Sequence, residues 1–110
     1  MICKDILNQH YILLTNEQTQ SNIYQGIYTT DLLSAAIKSS QSGNILVTII
    51  SHVNTVATAM MVDLPIIIIS ESRKVDHEMI NRANQEGIAI IKTSLFTHEV
   101  VIDLHQRGLI

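Results

Sequence analysis

The sequence is poor in the residues that staple, punctuate or charge a chain. Of its 110 residues, one is cysteine, one is proline, four are glycine and none is tryptophan, while aromatics make up 4% and charged residues 15%. The lone Cys3 excludes an intramolecular disulfide framework. Seven Lys and Arg stand against ten Asp and Glu, a formal net charge of −3, and this balance argues against nucleic-acid binding driven by phosphate contacts. The longest apolar runs are Ile66 to Ile69 and the stretch Ile45 to Ile50, broken by Thr48. Both fall far short of the ~20 residues that span a bilayer. The N-terminus lacks the basic flank, sustained apolar stretch and small-residue cleavage site of a signal peptide, so a reduced, cytoplasmic protein without membrane contact is expected. What the chain has in quantity is aliphatic side chains. A hydrophobic share of 46% excludes intrinsic disorder and predicts one globular domain over 1–110, with a core of Ile, Leu, Val, Ala and Met.

The few turn residues fall at informative places. Gly43, Pro65 and Gly87 stand at or just before Ile/Val-rich runs, namely Ile45 to Ile50, Ile66 to Ile69 and Ile88 to Ile91. Continuous apolar runs of this length predict strands buried on both faces, as in a parallel sheet. Helical spacing fills the intervals. About Asn54 to Val62, the residues Val53, Val56, Ala57 and Met60 form one predicted inward face, with Thr55, Thr58 and Asp63 pointing elsewhere. About His77 to Glu86, Asp76 is the expected N-cap, Met79, Ile80 and Ala83 face inward, and Gly87 suits the left-handed exit. About His98 to Arg107, Thr97 is the expected N-cap, with Phe96, Val100 and Leu104 inward. Upstream, Ile23 to Tyr28 reads as a strand and Thr30 as the cap of a helix carrying Leu32, Leu33, Ala36 and Ile37. From residue 23 the order is βαβαβαβα, which predicts an α/β three-layer sandwich with a mostly parallel central sheet flanked by helices. Residues 1 to 22 read as a short helix Ile2 to Asn8, a strand Tyr11 to Leu14, and an exposed polar loop Thr15 to Asn22.

In open α/β sheets ligands sit beyond the carboxyl ends of the strands, where helix N-termini offer free N–H groups. The residues there are Thr29, Thr30 and Asp31 after the first of these strands, Ser51, His52 and Asn54 after the second, Ser70 to Lys74 after the third, and Thr93 and Ser94 after the fourth. Hydroxyls, one His, one Asn and two cations suit a phosphate or a polar small molecule. Capping explains Thr30, Asp76 and Thr97. Local hydrogen bonding of the strand-to-helix turn competes with a ligand role for His52 and Asn54. Arg73 and Lys74 read as solvated loop charges. Neither G-x-G-x-x-G nor G-x-x-x-x-G-K-[ST] occurs, and no H-x-x-x-H or C-x-x-C spacing is present, so no cofactor, metal site or catalytic residue is assigned. His98, His105, Glu99 and Asp103 read as a surface pattern, and Cys3 as a small buried hydrophobe.

Ile27-Tyr28-Thr29-Thr30-Asp31-Leu32-Leu33-Ser34, then Ile45 through Asn54 with Val56 and Ala57 beyond, then Ala83 to Thr93 and the ending Leu104 to Leu109, resemble the DRTGG domain family. The resemblance covers nearly the whole chain, although the Asp-Arg-Thr-Gly-Gly motif itself does not appear. This family is similar to the N-terminal domain of HPr kinase/phosphorylase and supplies accessory modules to phosphate acetyltransferases and CBS-containing pyrophosphatases, besides stand-alone bacterial proteins. The resemblance implies a dimerising or regulatory α/β module. Its motif positions correspond to Asp31, Leu32, Leu33, Ser34, His52 and Asn54.

Two functions are therefore expected to compete. The first is a non-catalytic regulatory or ligand-sensing homodimer that takes a nucleotide or other phosphorylated small molecule at Asp31, Ser34, Ser51, His52, Asn54 and Thr93, with an apolar helix face of Met60, Met61 and Val62 left for the second copy. The second is a small enzyme on such a substrate, with His52 as acid/base.

Overall fold

Alternation with a period of two sorts the apolar strand residues onto two faces, and each face finds its own helices. The computed structural model describes all 110 residues. In chain order it contains α1 (Cys3–Ile6), β1 (Ile12–Leu13), a 3-10 helix (Glu17–Ser21), β2 (Ile27–Thr29), α2 (Leu33–Ser39), β3 (Ile45–Thr48), α3 (Val53–Val62), β4 (Ile66–Ile69), α4 (His77–Glu86), β5 (Ala89–Lys92) and α5 (Thr97–Gln106). The sheet order is β1-β5-β4-β3-β2, with β2 to β5 parallel and β1 antiparallel on β5.

Ile45, Val47, Ile66, Ile68, Ala89 and Ile91 pack against Cys3, Ile6, Val100 and Leu104 from α1 and α5, together with Tyr11 and Tyr24. Leu46, Ile67, Ile69 and Ile90 pack instead on Ala36, Val56, Ala59, Met79 and Ala83 from α2, α3 and α4. The three-layer arrangement follows. All four isoleucines of β4 are fully buried, each stabilising the fold by about 2 kcal/mol. At the end of α4, Gly87 takes φ 70 and donates to the carbonyls of Ala83 and Asn84, the left-handed exit expected of it.

Several local expectations are corrected. The strand expected from Ile23 begins only at Ile27; Ile23 is 73% exposed and makes a lone antiparallel bridge to Ile2, outside the sheet. The polar link Thr15 to Asn22 is a 3-10 helix with Thr15 and Thr19 buried, because their hydroxyls satisfy one another at 2.9 Å while Thr15 Oγ1 also accepts from the Ile90 N–H. On α3 the inward face is Thr55, Val56, Thr58 and Ala59, while Ala57 and Met60 are exposed. The N-caps of α2 and α5 are Leu32 and Phe96, not Thr30 and Thr97. Thr30 Oγ1 still accepts from the Leu32 N–H at 3.0 Å, and Glu99 accepts from the Phe96 N–H at 2.9 Å.

Candidate functional site

Three side chains build the turn from β3 into α3. Asp31 Oδ1 accepts from Thr48 Oγ1 at 3.1 Å and from the Ile49 N–H at 2.9 Å. Thr48 Oγ1 in turn accepts from the Ile50 N–H, and Thr55 Oγ1 donates to the Ile50 carbonyl at 2.7 Å. These bonds hold the turn without help from the polar side chains at its crest. His52, the N-cap of α3, makes no side-chain capping bond, and neither its imidazole nor the Asn54 carboxamide is hydrogen-bonded; both residues are exposed. The ten-residue α3 thus presents its first N–H groups and positive dipole end to the strand-end edge, with an imidazole and a carboxamide beside them. Local hydrogen bonding of the turn does not account for His52 and Asn54.

The neighbouring strand ends behave differently. α4 packs on one sheet face and α5 on the other, so the chain leaving β4 and the chain leaving β5 diverge, the circumstance that opens a cleft in α/β sheets. Here the opening is bridged. Glu71 (φ 64) and Ser72 (φ 54) both adopt the left-handed conformation and donate their N–H groups to the carbonyls of Leu95 and Thr93, at 3.0 and 2.9 Å. Ser70 Oγ lies 3.3 Å from Thr97 Oγ1 across the same opening. Nothing in the residue types of Glu71 and Ser72 signals this strain, which costs roughly 1–2 kcal/mol per residue. The loop carries the exposed cations Arg73 and Lys74, with Arg73 3.8 Å from Glu71, and the Asp76 N–H donates to the Ser51 carbonyl at 3.3 Å, joining this loop to the β3–α3 turn.

Ser51, His52 and Asn54 therefore stand together, and Asp31 is tied to the same turn. Ser34 is exposed in the first turn of α2. Thr93 lies two strands away at the end of β5, buried, its hydroxyl accepting from the Leu95 N–H at 3.2 Å. Thr48 and Thr55, which anchor the turn, were missed as contributors because a threonine next to aliphatic residues carries no sequence signal of its bonding role.

Elsewhere, no three His, Cys, Asp or Glu side chains are grouped to hold a metal ion. Burial pushes the Cys3 thiol up to about 11, which keeps it protonated near neutrality and unsuited to nucleophilic work. Tyr11 is also raised, chiefly by burial and then by its hydrogen bond to Asp103 and that group's charge, with Arg107 opposing. No helix is long and apolar enough to cross a membrane.

Comparison with known proteins agrees with this architecture. The family model described as HPr serine kinase N terminus matches residues 50–106, just over half of the chain. The CBS and DRTGG domains of the regulatory region of Clostridium perfringens pyrophosphatase, solved in complex with the activator diadenosine tetraphosphate, share the fold with a TM-score of 0.70 at 13% identity. That match covers 88% of this chain and 42% of the other, so the present chain spans less than half the length of the solved one. No curated protein matches.

Proposed function

Because the chain belongs to the HPr serine kinase N-terminal family, we propose that it is a non-catalytic regulatory module that senses a nucleotide or other phosphorylated small molecule and acts as a homodimer. The observation that carries this reading is the pair His52 and Asn54, two polar side chains that the β3–α3 turn does not use, set beside the bare N-terminus of α3. An anionic phosphate is the complement of such N–H groups and of an imidazole N–H. Ser51 and Ser34 supply hydroxyls at the same edge, and Asp31, with Oδ1 held by the turn, is an acceptor suited to a ribose hydroxyl. Arg73 and Lys74, on the adjoining loop, add positive charge. Thr93 acts through the Glu71–Ser72 bridge, whose Ser72 N–H its carbonyl accepts. The solved neighbour, a regulatory region with a nucleotide activator, is a precedent for a fold of this kind in that setting.

The second copy docks on α3. This helix holds no charged residue, and its Met60 and Met61 are exposed by 38% and 67%, with Arg82 beside Met60. Val62, expected on the same surface, is half-buried against the core and contributes little to it. Sedimentation equilibrium tests the dimer: association at micromolar concentrations that Met61→Asp abolishes supports it, and a monomer throughout removes it. Titration with nucleotides tests the ligand: saturable binding that His52→Ala weakens supports it, and no binding removes it.

A further inference from the structure

The amino ends of the strands carry a second set of polar groups, remote from the strand-end edge described above. Asn22 donates from Nδ2 to the carbonyls of Pro65 (3.1 Å) and Gly87 (2.7 Å), which fixes its carboxamide and leaves Oδ1 without a partner. Asn84 accepts from the Asn16 N–H at 2.7 Å through Oδ1, which leaves Nδ2 without one. A half-buried acceptor and a half-buried donor are thus held in place, and both residues line a depression of about 360 Å³ that has no apolar side chain in its wall and includes Gln18. Asn22 and Gly87 also line an adjoining depression of about 410 Å³, whose wall includes Ile23, Met60 and Pro65. Each volume lies in the range of small-molecule sites. The two make one bipartite groove, with carboxamides at one end and an apolar floor at the other.

Its charge restricts what it takes. No Lys or Arg lines either half, whereas Asp63 and Glu86 stand at the apolar end. The nearby Arg82 is turned to Glu86 at 3.4 Å and to the Met60 sulfur at 3.7 Å. We infer that this groove binds an uncharged, ring-bearing, hydroxyl-rich small molecule, the chemistry shared by nucleosides and sugars, with the ring on Ile23 and Pro65 and the hydroxyls on Asn22 and Asn84. A phosphorylated form is disfavoured by Asp63, which pairs with no cation, whereas Glu86 is matched by Arg82, and this separates the groove from the site at His52.

The experiment follows backbone and carboxamide signals of the 15N-labelled chain by NMR as adenosine, a methyl glucoside and ATP are titrated separately into the millimolar range. Saturable shifts at Gly87 and at the Asn22 and Asn84 side chains are expected with at least one neutral probe. Adenosine alone marks a nucleoside site and the glucoside alone a sugar site. Asn84→Asp keeps the acceptor for Asn16 and removes the donor, so it weakens that binding about fivefold or more while the spectrum stays folded. Gln18→Ala, on the exposed wall, weakens it as well. Absence of shifts with both neutral probes overturns the inference, as does ATP shifting these signals as strongly as adenosine; shifts confined to His52 and Asn54 would uphold the other site and overturn this one.

Discussion

The Tyr11 hydroxyl donates a 2.7 Å hydrogen bond to Asp103 Oδ2, joining residues 92 positions apart in the chain. Asp103 also meets Arg107 at 3.3 Å, and Arg107 reaches across to the carbonyls of Asp5 and Ile6, so α5 satisfies the exposed carboxyl end of α1. The N-terminal segment is thereby fastened to the last helix. Tyr11→Phe removes the hydroxyl from a buried side chain and is expected to cost about 1–2 kcal/mol in urea denaturation. Asp103→Asn costs a similar amount, and the double variant costs less than the sum, since both act on one network.

Alkali weakens the fold through three buried acids. Cys3, Tyr11 and Tyr24 are all raised in the folded chain, from ordinary values of 9.0 for the thiol and 10.0 for the phenols. A raised folded value means that the stabilisation is whole below the unfolded value and is lost as pH rises through the folded one. The urea midpoint is therefore expected to hold steady up to about pH 9 and to fall progressively above it, the thiol's share being lost by about pH 11. Cys3→Ala flattens the first part of that fall. A midpoint that rises between pH 9 and 11 contradicts the assignment. Reaction of Cys3 with a thiol reagent at neutral pH is correspondingly slow until urea is added.

The bridge at Glu71 and Ser72 stores strain. Glycine adopts their left-handed conformation freely, so Glu71→Gly and Ser72→Gly are each expected to stabilise the chain by up to about 1 kcal/mol, after the entropy that glycine adds to the unfolded state. Thermal denaturation reads this out. Gly87→Ala makes the reverse change: nothing lies within 4 Å of a Cβ built there, so its cost, about 1 kcal/mol, comes from backbone conformation alone.

Thr55→Val keeps the shape of a buried side chain and removes the bond to the Ile50 carbonyl. A loss of about 1 kcal/mol is expected, whereas Ala57→Thr on the exposed side of α3 costs only the few tenths that follow from helix propensity.

That contrast also shows why some of the structure was legible in the sequence and some was not. β3, β4 and β5 were readable because apolar runs such as Ile66 to Ile69 have no stable alternative to burial on both faces, and Gly87 was readable because few residues tolerate its φ. The inward face of α3 was misread because Ala57 and Met60 outranked Thr55 and Thr58 in hydrophobicity, while tertiary packing needed short side chains against α2 and α4 and satisfied Thr55 locally. Thr15 and Thr19 escaped for the same reason: a hydroxyl pair that bonds to itself can be buried, and composition cannot show the pairing. At the strand-end edge the residue types were legible, but not their division of labour. Thr48 and one oxygen of Asp31 hold the turn; the side chains of His52 and Asn54 are left over.

The most direct measurement is isothermal titration of the chain with AMP, ADP, ATP and diadenosine tetraphosphate, repeated on His52→Ala and Asn54→Ala. Saturable binding of at least one nucleotide is expected, weakened about tenfold by each substitution, with urea midpoints unchanged because neither side chain bonds to the protein. Nucleotide binding that both variants retain in full, or none by the parent chain, contradicts a nucleotide site at His52 and Asn54.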